Sequence, residues 1–363
     1  MSSQPIFQTI IATNTHLRHR KPIIQRLQRK LNARYKLDGK LIIYTASPYH
    51  PVAQIMIQDV PSFEDLLRSA GKAEDGYLMI NSPGGDGNAA EKLLMMCRQR
   101  FTKSFYIIVP DYAKSAATMM CLGSDKILMG YLAELGPIDP QLRTAPIPGA
   151  GIPARSFIDG LELIRQKVTQ EGDPVEMYFP MLTQISPQIL ARCYSAIEGS
   201  RKFAEKWLKQ HMFKKAPEQA RKVAKWLSEG KKYKSHGKVI DFKEAHDVLK
   251  LDVERIDPKS DLWSDIWELY CRSIAFLQQR QRQGAAKLFE SESVSLTFNV
   301  QIRVMAQPPQ PTRPRVPRPQ VPRPRQPTPP TPSAPARPSK PPLGQTPKPP
   351  SSKPGPEKVP KDK

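Results

Sequence analysis

YLMINSPGGDGNAAEKLL, Tyr77–Leu94, passes from one kind of local structure to another without a spare residue. Tyr77–Ile80 is a short apolar run bounded by turn formers, the mark of a buried strand. From Ala89 to Arg100 the apolar residues Leu93, Leu94 and Cys97 recur at helical spacing, with Phe101 next in the series. Between them stand Ser82, Pro83, Gly84 and Gly85. Adjacent glycines cost backbone entropy unless the chain needs a positive φ or a close backbone approach. The turn is therefore shaped for something to lie against its backbone.

Outward from this stretch the same alternation continues. Lys40–Thr45 (KLIIYT), Ser104–Val109 (SFYIIV) and Lys126–Gly130 (KILMG) read as further strands, and the segment opening at Ser62 (SFEDLLRSA) as a helix. Strand, turn and helix in repetition predict an α/β domain with a parallel layer. The helix after Lys114, SAATMMCLG, lacks a polar face and belongs in the core. Ala154 to about Lys215 reads as mostly helical, Asp241–Leu251 as a short helix and Leu262–Phe289 as one long helix. In Ser293–Val304 (SVSLTFNVQIRV), Val294, Leu296, Phe298, Val300, Ile302 and Val304 alternate on one face. This predicts a strand whose apolar face needs a partner, another subunit being one candidate.

Of the 39 prolines, 22 lie from Val304 onward, where 12 basic residues face 2 acidic ones and supply +10 of the formal +22. Such a segment has little to bury and is expected to be a disordered, polyproline-II-biased tail over 307–363. Its PxxP spacing in VPRPQVPRPRQP (Val316–Pro327) suits an SH3-like or anionic partner. The other basic stretches, Thr15–Leu31 and Lys225–Lys238, carry no RNP-like segment and no Cys/His finger spacing, so they read as solvated helix faces. Cys97, Cys121, Cys193 and Cys271 are widely separated in apolar surroundings and read as reduced core residues of a cytoplasmic protein. No run approaches the roughly 18 apolar residues of a membrane span, and the N-terminus lacks a secretory-type apolar core.

The second informative stretch is YIIVPDYAKSAATMMCLGSDKILMG (Tyr106–Gly130). Ser115 falls where a strand has ended and a wholly apolar helix begins, beside unpaired backbone N–H groups and the positive end of a helix dipole. An ordinary N-cap serine occupies the same place; the burial of the helix behind it argues for more. No GxSxG elbow, Walker loop, dinucleotide GxGxxG or HExxH occurs.

SPGG after one strand, a serine opening a buried small-residue helix after the next, and GSDKILMGYLAELGPIDPQ (Gly123–Gln141) together resemble the Clp/crotonase superfamily. Within it the chain is most similar to the serine dehydrogenase proteinase family, related to Clp proteases and signal peptide peptidases. The similarity runs roughly over Lys40–Tyr270. It implies a repeated β-β-α superhelical core with added helices, arranged as a basic N-terminal segment (1–35), a peptidase domain (36–275), a C-terminal helix end and strand (276–306) and the tail. It also implies Ser115 as nucleophile and an oxyanion hole from the backbone N–H of Gly84 or Gly85 and of Ala116. A Ser-Asp-His order would use Asp139 of GPIDPQ and His236 of YKSHGKVIDFKEAHDVL, with His246 in reserve.

Signal peptide peptidases imply an alternative base, a lysine some way after the serine; Lys167 is placed for it. Lys114, next to Ser115, would point away if its segment is extended. The resemblance implies a peptide or protein substrate, a homo-oligomer, and neither cofactor nor metal. Two other readings stay open: an inactive scaffold that recruits nucleic acid or a protein through its basic tail, and a crotonase-like enzyme acting on acyl-CoA.

Overall fold

The computed structural model describes residues 6–13, 16–48, 50, 52–143 and 151–300. The first helices are α1 (Ile6–Thr13) and α2 (His16–Tyr35), followed by strand β1 (Gly39–Ala46), α3 (Asp59–Ser69), β2 (Asp75–Asn81), α4 (Gly87–Arg100) and β3 (Phe105–Val109). Next come β4 (Tyr112–Ala113), α5 (Ala116–Leu122), β5 (Lys126–Met129), β6 (Glu134–Leu135) and the hairpin-like pair β7 (Gln141–Arg143) and β8 (Gly151–Pro153). A helical region holds α6 (Ala154–Gln166), α7 (Phe179–Leu182), α8 (Pro187–Gln210) and α9 (Pro217–Ser228). The last elements are β9 (Val253–Arg255), α10 (Asp261–Gln279), β10 (Ala285–Glu290) and β11 (Ser295–Asn299).

Seven strands form one sheet in the order β11-β10-β1-β2-β3-β5-β9. β1, β2, β3, β5 and β9 run parallel, and β10 and β11 are added antiparallel at one edge. A parallel sheet must be covered on both faces, and this one is. Ile42, Tyr44, Leu78, Ile80 and Ile107 pack with Phe63 of α3, Leu94 of α4 and Met120 of α5. Leu41, Ile43, Tyr77, Met79 and Ile108 pack on the opposite face with Leu27 and Leu31 of α2 and with Ile266 and Leu269 of α10. The basic N-terminal stretch thus sends an apolar stripe into the core.

Beyond the ends of the parallel strands a second, smaller set of pairings stands side by side. Gly85 bridges Ile55, Ser82 bridges Ala113, β4 pairs with β6, and Leu135 bridges Ile240. The chain just before Asp241 contributes only that last bridge. This small layer holds both glycine turn and serine.

Three expectations from the C-terminal third are corrected. The predicted helix over Leu262–Phe289 stops at Gln279, and the chain turns through Gly284 at φ +81° into β10. Every residue of β10 is buried, so its sequence, AAKLFE, shows no period from which a strand could be read. The apolar face of the final strand, Val294, Leu296 and Phe298, packs against the core of the same chain, with β10 paired along its edge. The short helix expected over Asp241–Leu251 is confined to 242–248 and ends as a π-helical turn, Glu244–Val248. The predicted tail lies outside the described residues. Among the described residues no helix is long and apolar enough to cross a membrane.

Candidate active site

Three backbone turns at the ends of β2, β4 and β6 meet in one cleft. The first is the glycine turn. Gly84 and Gly85 sit at φ +95° and +148°, where a side chain is strained. A Cβ on Gly84 would stand 2.5 Å from Lys114 O, 2.7 Å from Ser115 Cβ and 3.0 Å from Ala116 N. One on Gly85 would stand 2.3 Å from Ile55 O. The double glycine therefore answers to two backbones at once, the serine turn on one side and residue 55 on the other. The Gly84 N–H donates to Ser82 Oγ at 3.2 Å, whereas that of Gly85 has no partner among the described residues.

The second turn carries Ser115. Its φ of +52° with ψ of −119° is rare for a residue with a side chain and costs of order 1–3 kcal/mol. Although it stands at the N-cap of α5, its side chain makes no capping hydrogen bond. The Ala116 N–H, first of the helix, is also without a partner among the described residues. Thr118, buried one turn on, donates from Oγ1 to Ala113 O at 2.6 Å and accepts from the Gly136 N–H at 3.0 Å. It ties the serine turn to the third.

That third turn, Gly136–Pro140, brings in Asp139, which is buried. Its Oδ1 lies 2.8 Å from His236 Nδ1, and its Oδ2 accepts from Gln141 Nε2 at 2.9 Å. Residues 97 apart in the chain are thus brought into one pair. Ser115, Ala116, Gly85, Asp139 and His236 all line a single cleft of about 820 Å³, with Met56, Met119 and Leu142 among its apolar walls. No hydrogen bond joins Ser115 to His236; such contacts often close only around substrate.

The other candidates lie elsewhere. Lys167 is outside the cleft lining and ion-paired with Glu171 on an exposed turn. That hydrogen bond raises its pKa, the opposite of what a neutral lysine base requires. Lys114 turns away from the cleft to Glu134 Oε1 at 2.9 Å and Leu135 O at 3.1 Å. His246 pairs with Asp247 on the surface. All four cysteines are buried, and burial pushes the Cys271 thiol up to about 12.

Sequence reading passed over Thr118 and Gln141. Each is an ordinary polar residue whose partner becomes evident only in three dimensions.

With this geometry in place, comparison with known proteins is informative. A profile described as ClpP-like SDH-type serine proteinase matches residues 6–280. The chain belongs to that family. Two uncharacterized proteins of Methanocaldococcus jannaschii are 30% identical over 205 residues and 29% identical over 170. The matches cover 56% and 46% of this chain, and 62% and 50% of those two proteins. Among solved structures, two variants of 1510-N membrane-bound stomatin-specific protease, one with a substrate peptide, align at 17% and 16% identity. They cover 62% and 72% of this chain and 84% and 88% of their own, with TM-scores of 0.37 and 0.36. A Pyrococcus horikoshii 1510-N membrane protease specific for a stomatin homolog covers 42% and 70% at 19% identity, with a TM-score of 0.22.

Proposed function

We propose that this chain is a serine peptidase in which Ser115 is the nucleophile, His236 the general base and Asp139 the residue that orients it. The observation that carries the reading is a serine held at positive φ, free of any cap bond, in the same cleft as a buried aspartate–histidine pair. Asp139 accepting from Nδ1–H leaves His236 Nε2 as the basic nitrogen. As Ser115 Oγ bonds to the substrate carbonyl carbon, its proton passes to Nε2. The carbonyl oxygen takes the negative charge, and the N–H groups of Gly85 and Ala116 receive it.

Collapse then breaks the C–N bond, and Nε2 returns the proton to the departing amine. Water enters next and gives a proton to His236 as its oxygen attacks the acyl carbon. Ser115 leaves with that proton. Donors fixed before charge develops need no reorganisation, and losing one costs about 10²- to 10³-fold. The Gly84 amide, already used by Ser82, serves the turn instead.

The small bridged layer following β2, β3 and β5 supports a repeated β-β-α superhelical core. A polypeptide substrate suits the cleft's size and partly apolar lining. Leu163, Met177, Phe179 and Met181, all exposed on the helical region, favour a homo-oligomer. The four buried free thiols favour the cytoplasm, and the charge of the proline-rich tail favours an anionic or SH3-like partner.

The test is hydrolysis of a fluorogenic peptide panel. Wild type is expected to cleave and Ser115→Ala and His236→Ala to be inactive, while Lys167→Ala keeps full activity. Retained cleavage by His236→Ala together with its loss in Lys167→Ala would transfer the base to the lysine.

A further inference from the structure

Lys287 in β10 is fully buried, and so is Asp59 at the start of α3, with which it forms an ion pair. Two charges withdrawn from water incur a desolvation penalty that their attraction often fails to repay, so such a pair calls for a reason beyond stability. Its surroundings supply one. Lys287 Nζ also donates to the Gln54 carbonyl at 2.7 Å. The second oxygen of Asp59 accepts from Tyr44 OH at 2.9 Å and from the Met56 N–H at 3.1 Å. Both ends of the segment 54–56 are therefore tied to the one ion pair.

This segment is a wall of the cleft. Its middle residue, Ile55, donates its N–H to Gly84 O at 2.8 Å and accepts from the Asp86 N–H at 2.9 Å. These bonds flank Gly85 on either side and hold it in a parallel bridge to Ile55, with its own N–H unused among the described residues. Gly85 also has no room to move toward the wall. The donor's position thus depends on where residue 55 stands, and residue 55 stands where the ion pair holds its neighbours.

We propose that Lys287 and Asp59 are positioning residues for the oxyanion-binding turn, acting through the backbone of Gln54–Met56 on Gly85. The catalytic consequence rests on the peptidase reading above; the mechanical one does not. A displacement of about 1 Å in a group that meets the reacting atoms can cost roughly 10²-fold in rate. The ion pair therefore acts on turnover more than on binding.

Lys287→Met alone leaves Asp59 charged and buried, so the deciding variant is Lys287→Met with Asp59→Asn, which removes both charges at similar volume. It is expected to fold, because replacing a buried pair by neutral groups is often tolerated. Two readouts apply to this double variant of the full chain. Hydrogen exchange of the Ile55 and Asp86 amides should quicken about tenfold or more, while amides of β2 and β3 keep their protection. Peptide cleavage should lose about 10- to 100-fold in kcat with KM within about threefold.

Unchanged exchange at Ile55 and Asp86 overturns the proposal, as does faster exchange with wild-type kcat. If wild type cleaves nothing, the peptidase reading fails by itself. Exchange then still decides whether the ion pair holds the turn.

Discussion

Ser115 and Ser260 occupy the same formal position, the N-cap of a helix, and are used in opposite ways. Ser260 has φ −76° and ψ 149°, and its Oγ accepts from the Trp263 N–H at 3.1 Å. Ser186, before α8, repeats that pattern with Ile189 at 3.3 Å. Ser115 has φ +52° and makes no such bond. A capping serine satisfies an orphan N–H of its own helix and contributes about 1 kcal/mol. Ser115 gives up that contribution and takes on strain, which leaves its hydroxyl and the Ala116 N–H available to another molecule. The same residue type in the same place is structural in one helix and, on the reading proposed above, chemical in the other.

Substitutions can break this comparison, and the largest effects fall on turnover. Ser115→Ala should remove peptidase activity by roughly 10⁴-fold or more, as loss of a nucleophile does, with thermal unfolding little changed. Asp139→Asn should retain the fold and lower kcat by up to about 10⁴-fold, because His236 Nδ1 loses its carboxylate and the ring its tautomer. Gly85→Ala should cost about 10²- to 10³-fold in kcat, since a methyl group there meets the Ile55 backbone and must displace the turn.

The smallest effects are on stability and have opposite signs. Ser260→Ala should destabilise by about 1 kcal/mol without affecting catalysis. Ser115→Gly, which relieves the positive φ, should stabilise by about 1 kcal/mol while abolishing catalysis. Denaturant unfolding of the two variants, read beside their cleavage rates, checks both. Equal losses of stability would remove the distinction between the two serines.

Much of this was legible in the sequence, for physical reasons that differ by element. β1, β2, β3 and β5 are short apolar runs closed by turn formers, and the Gly84–Gly85 turn announces a backbone constraint through composition alone. β10 was not legible, because a strand buried on both faces has no period and follows a genuine amphipathic helix. Its place between β1 and β11 also hid the partner of β11, which the alternating pattern demanded but could not name.

At the site, Ser115 was marked by the apolar helix behind it. The closeness of Asp139 and His236 depends on a contact across 97 positions that no local pattern encodes. Family resemblance singled out those two residues; spacing could not. Thr118, Gln141 and Lys287 were missed for a related reason. Thr118 and Lys287 each bond groups that the fold brings in from elsewhere in the chain, and Gln141 supports an Asp139 whose histidine partner is remote in sequence.

The central claim is that the strained serine is an activated nucleophile served by His236. Labelling with a fluorophosphonate probe followed by peptide mapping tests it most directly. The adduct should form on Ser115 in wild type, persist in Lys167→Ala and disappear in His236→Ala. An adduct on another residue, or Ser115 labelling that survives His236→Ala and is lost in Lys167→Ala, would contradict it.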